Sequence, residues 1–289
     1  MNDIPEVFCE AVCRTLNTVD SNFCLLCNFR GLFGEVAADA FDNAAYHMVR
    51  LSDGQFLNEG YFCPFRTPGW VEFNNVTRKH HWYTWVFVSV GGGDYSIEPA
   101  ALEDLAAATK GKRVVLTLHS SNISKEHEKW IGSLQFCIVL EVSAAVPRIP
   151  DSLIQKRTLY RVVFMGNNQI SDEATSQLLQ LMKQDQFCQA TIPRISESNL
   201  KKLIAEWREN ASEMAGKSVC CKEQVTLDVE LGFQKCSAEE EGHFDVICPR
   251  FKGLWRNANI SKNETEDGLY CFKFENIASI TYKTIIVFA

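Results

Sequence analysis

The 289-residue chain is 46% apolar, enough to bury one large core or two smaller ones and too apolar for a disordered protein. Its formal charge of −7, with no cluster of lysine and arginine, argues against a nucleic-acid partner, because phosphate neutralisation needs a concentrated basic face. The longest apolar runs fall far short of a membrane span and Met1-Asn2-Asp3 begins no secretory leader, so no membrane partner is expected and the place is the cytosol or nucleus. Twelve cysteines are then expected as reduced thiols packed like small hydrophobes.

Residues 1–46 predict a short helical module. Asp3 and Glu6 are spaced as a capping box around Pro5, a residue tolerated only in a first helical turn. Phe8, Val12 and Leu16 follow at intervals of four and form one apolar face. After a polar turn, Phe23-Cys24-Leu25-Leu26-Cys27 predicts a second short helix that Gly31 stops. A third, from Leu32 to about Tyr46, carries Leu32, Phe33, Val36, Ala37, Ala40 and Phe41 at helical spacing. Three such helices bury too little to stand alone, so their remaining apolar surface must face the rest of the chain or a partner.

Ile4-Pro5-Glu6-Val7-Phe8, the apolar Val12 and Leu16, the cluster from Phe23 to Leu26 and the helix of Phe33 and Val36-Ala37 together resemble an F-box, with the usual Leu-Pro opening standing here as Ile4-Pro5. The resemblance implies docking on the adaptor Skp1 through Ile4, Pro5, Phe8, Val12, Leu16, Phe23 and Leu26, and through it on a cullin ubiquitin ligase. The alternative is an ordinary helical cap on the following domain.

Residues 47–220 predict alternating strands and helices. His47 to Leu57 suggests a hairpin, since Asp53-Gly54 supplies the positive backbone angles of a type I′ turn. Residues 58–80, aromatic but without period, suggest an irregular connection. Then come strands over Trp82 to Val90, Arg113 to Leu118, Leu134 to Val142, Leu159 to Met165 and Phe187 to Ile192. Helices are expected over Ser96 to Thr109, with Leu102, Leu105 and Ala106 inward, and over Ser171 to Lys183 and Ser196 to Ala215. Strand centres recur at the period of leucine-rich repeats. Arg113 to Ser124 and Arg161 to Ser171 resemble each other and that repeat in their strand, asparagine, isoleucine order; Phe136-Cys137 and Phe187-Cys188 also recur. A doubly wound βαβ sheet predicts the same alternation and is the competing fold.

Residues 221–289 predict a β-rich end, with short strands at Val225 to Leu231, Phe244 to Cys248, Leu269 to Phe274 and Ile280 to Phe288, mostly antiparallel and able to cap an open solenoid. The fold class expected is thus α/β: a three-helix F-box-like module, an irregular leucine-rich-repeat-like parallel solenoid and a mostly antiparallel β region. Over its length the chain looks like the F-box receptors expanded in nematodes.

Nothing in the sequence demands catalysis. Gly91-Gly92-Gly93-Asp94 sits where a phosphate loop would, but lacks the Gly-Lys-Ser/Thr ending and suggests a turn. Cys9, Cys13, Cys24 and Cys27 have a spacing zinc could accept, yet all lie in apolar helical runs where packing is expected. His80-His81 with Trp82, Tyr83 and Trp85 suggests core more than recognition patch. Cys220-Cys221, Cys236, His243 and Cys248 match no metal spacing. The expectation is therefore a non-enzymatic adaptor with no catalytic residue, metal or cofactor. It would join Skp1 and the cullin complex to an unknown protein substrate held by the repeat region.

Overall fold

The computed structural model describes residues 8–9, 31–43, 46–63, 69–71, 85–91, 98–119, 124–143, 148–167, 169–223, 233–235, 258–263, 269–274 and 284–288. They form a mixed α/β architecture with open sheet in two compact units, one of residues 1–91 and 96–115, the other of 92–95 and 116–289.

In the first unit, helix α1 (Leu32–Asn43) starts after Gly31, whose φ of 81° is left-handed backbone that glycine adopts without a Cβ clash. Val36 and Ala37 are buried while Leu32 is exposed, so the inward stripe begins one turn later than the apolar spacing predicts. The helix ends at Asn43 and Tyr46 already belongs to strand β1 (Tyr46–Ser52). Here alternation takes over: His47, Val49 and Leu51 are buried, and Tyr46, Met48 and Arg50 point the other way. Asp53 and Gly54 both have positive φ, 53° and 80°, as the type I′ hairpin requires, and Ser52 pairs with Gln55 across the turn.

Strand β2 (Gln55–Cys63) runs well past Leu57, and β3 (Gly69–Val71) pairs with its end, where an irregular connection is expected from sequence. The reason is a bulge: the register slips between Met48 and Val49, opposite Asn58 to Gly60, and erases the period-two signal. Strand β4 (Trp85–Val90) pairs parallel with β1, giving the order β3-β2-β1-β4. Helix α2 (Pro99–Thr109) begins with proline in its first turn and buries Ala101, Leu105 and Thr109; Leu102 is half-buried and Ala106 exposed. Its start is tied to the hairpin by Glu98 N–H donating to the Gly54 carbonyl at 3.1 Å. The division between the units falls inside strand β5 (Arg113–Leu118).

In the second unit strand and helix alternate as far as residue 221. Helix α3 (Lys125–Ser133) precedes β6 (Cys137–Ser143), and α4 (Asp151–Lys156) leads to β7 (Arg161–Met165). Helix α5 (Asp172–Met182) leads to β8 (Gln189–Ile192), and α6 (Glu197–Glu209) with the short α7 (Ala211–Met214) to β9 (Lys217–Cys221). The expectation at Ser196 to Ala215 of one helix is corrected to two: Asn210, at φ −132°, breaks the run. Strands β6, β7, β8 and β9 lie parallel in chain order, with no reversal of the kind a doubly wound sheet has. Connections of one hand advancing in one direction keep the helices on a single face.

The end of the chain is antiparallel. Strand β13 (Thr284–Phe288) pairs with β9 on one side and with β12 (Leu269–Phe274) on the other, followed by β11 (Ala258–Asn263) and β10 (Phe233–Lys235). All five residues of β13 and all five of β9 are buried, which makes this pair a core element and not a rim. The strands expected at Val225 to Leu231 and Phe244 to Cys248 lie outside the described residues.

Candidate functional site

Two places bear on function, one in each unit. At the amino end, Phe8 and Cys9 are helical; Phe8 is 56% exposed while its neighbour Cys9 is 1% exposed. A helix that turns one side chain inward beside a phenylalanine left in solvent has an outward apolar position. Leu32 in α1 is likewise exposed at 41%. Of the residues the F-box resemblance assigns to adaptor docking, Phe8 is thus described, and Ile4, Pro5, Val12, Leu16, Phe23 and Leu26 lie outside the described residues.

The second place is the strand face of the second unit that carries no helix among the described residues. Register and alternation sort the side chains. Leu140, Val162, Ala190 and Val219 stand in one row, and Val142 with Phe164 and Ile192 with Cys221 in the next, all buried toward the helices. On the opposite face the row of Val139, Arg161, Gln189 and Ser218 is followed by Glu141, Val163, Thr191 and Cys220. This second face is polar and hydrogen-bonded across strands. Thr117 Oγ1 donates to Glu141 Oε2 at 2.9 Å, Arg161 reaches Thr191 Oγ1 at 3.5 Å, and Gln189 Nε2 lies 3.1 Å from Cys220 Sγ. Toward β9 it is closed, with Ser218, Cys220 and Thr191 buried; toward β6 and β7, Glu141, Val163 and Met165 are half-buried.

Helix ends and crossings hold this face in shape. Ser124, Ser171 and Ser196 each accept the N–H three residues on, from His127, Ala174 and Asn199 at 3.3, 3.1 and 3.1 Å, so three helices start with the same cap. Side chains of a later element satisfy backbone groups of an earlier one. Gln177 accepts the Ile149 N–H and donates to the Ile149 carbonyl, both at 2.9 Å, and Gln184 donates to Ile154 O. Lys156 donates to Leu134 O, and Lys217, only 4% exposed, donates to the carbonyls of Met182 and Glu213. Sequence reasoning missed these links; a glutamine at an inward helical position such as Gln177 is the signal that was available.

Burial pushes the Cys220 thiol up to about 12 and Cys221 well above its ordinary range, so neither is a thiolate near neutral pH. Cys9, Cys137, Cys188, Cys220, Cys221 and Cys271 are thiols and not disulfides. Among the described residues no three His, Cys, Asp or Glu side chains gather as a metal site, and no helix is long and apolar enough to cross a membrane. Gly91 donates its N–H to Leu51 O at 2.9 Å and so does not offer it to a phosphate; Gly92 to Asp94 lie outside the described residues. Cys13, Cys24, Cys27, His80, His81, Cys236, His243 and Cys248 lie outside them too. The recurring Phe-Cys pairs are not equivalent: Phe136 is 49% exposed and Phe187 fully buried.

No protein-family model, curated protein or solved structure matches the chain.

Proposed function

We propose that the chain is a non-enzymatic substrate adaptor of an SCF-type cullin ubiquitin ligase, its amino-terminal helices docking on Skp1 and its leucine-rich-repeat-like strands and helices holding a protein substrate. The observation that carries this reading is the exposure of Phe8, a helical residue that the F-box resemblance assigns to the docking face, beside a buried Cys9. An apolar side chain left in solvent within such a small module suits a partner's groove. The chain-ordered parallel strands, with helices on one face and a polar, half-open face on the other, support a repeat scaffold whose strand side receives the substrate. The chemistry would be proximity alone: a rigid receptor raises the effective concentration of a target lysine near an enzyme that other subunits supply.

Purified full-length chain is expected to bind purified Skp1 in size-exclusion chromatography, and Phe8→Asp to abolish that binding. Because Phe8 is exposed, the variant should keep its Tm within about 2 °C, a surface substitution costing no more than about 0.5 kcal/mol. Wild-type chain that ignores Skp1, or F8D that binds as well as wild type, would overturn the reading. A repeat-based binding module unconnected to ubiquitin is the second reading, favoured by the strand face, which needs nothing from the amino end. An enzyme with a phosphate site near Gly91 is the weakest, given the commitment of the Gly91 N–H.

A further inference from the structure

We draw no further inference here: the strongest candidate, the half-buried strip of Thr117, Glu141, Val163 and Met165 on the helix-free strand face of the second unit, belongs to the face already described, and nothing among the described residues shows what covers it.

Discussion

At the scale of single residues, Gln177 shows how a buried amide holds two crossings together. Its carboxamide pairs with both backbone groups of Ile149, and both residues are buried. Gln177→Leu would fill the same space yet leave a buried N–H and a buried C=O unpaired, a loss on the order of 3 kcal/mol. Urea denaturation should register that as a lower midpoint at unchanged m, while Gln180→Leu on the exposed side of α5 should stay within about 0.5 kcal/mol of wild type. Equal effects at the two positions would show that the Ile149 link contributes nothing.

His127 makes a second residue-scale point, about pH. Its Nδ1 lies 2.8 Å from Ser124 Oγ, which also accepts the His127 backbone N–H, so the imidazole is hydrogen-bonded to the very hydroxyl that caps the helix. Burial lowers the imidazole pKa, opposed by the neighbouring Glu126 charge. The folded chain therefore binds fewer protons than the unfolded one between that lowered value and the ordinary imidazole value of about 6.5. The stabilisation is complete above that ordinary value and is lost as pH falls through the lowered one. His47, buried and beside Lys112, shifts in the same direction. His127→Gln keeps a Ser-x-x-Gln cap without the titration. It should flatten, but not abolish, the fall in unfolding free energy on acidification; an unchanged slope would remove His127 from the account.

Among the elements, those with caps and turn residues were the most legible. The Asp53-Gly54 turn, β5 and β12 stand at the residues expected of them, and α5 lies within the expected span of Ser171 to Lys183. What escaped has physical causes. Helices α3 and α4 are short, and α3 shows its inward residues only as His127, Trp130 and Ile131, too few to establish a period. Strand β2 hides behind a bulge. Strands β6, β7 and β8 start two or three residues later than their apolar runs, because Leu134, Leu159 and Phe187 are core residues of the approaching loops. Ser171→Ala tests the capping argument: it should cost about 1 kcal/mol by urea denaturation, and an unchanged midpoint would mean that α5 is held by packing alone.

For the whole molecule, the decisive element is the last one described. Strand β13 lies between β9 and β12, buried throughout, with Phe288 packed on Trp207 at a ring distance of 5.3 Å and accepting the Gly216 N–H at 2.6 Å. Ending the chain at residue 283 would bare the ladder edge of β9 and take five buried residues from the core. The truncated chain is expected to lose its cooperative thermal transition or to aggregate. A transition retained within about 3 °C of the wild-type Tm would mean that the unit completes itself at β9.

By itself the sequence determined the alternation of strand and helix, the hairpin at Asp53-Gly54 and the helix starts at Ser171 and Ser196, because these follow from neighbours a few residues apart. The order of the parallel strands, the insertion of β13 beside β9, and the polar face where Thr117 meets Glu141 and Arg161 meets Thr191 were decided only by tertiary structure. Those pairings join residues far apart in the chain, and each is selected by burying the opposite face of its strand, a condition that no local window of residues contains.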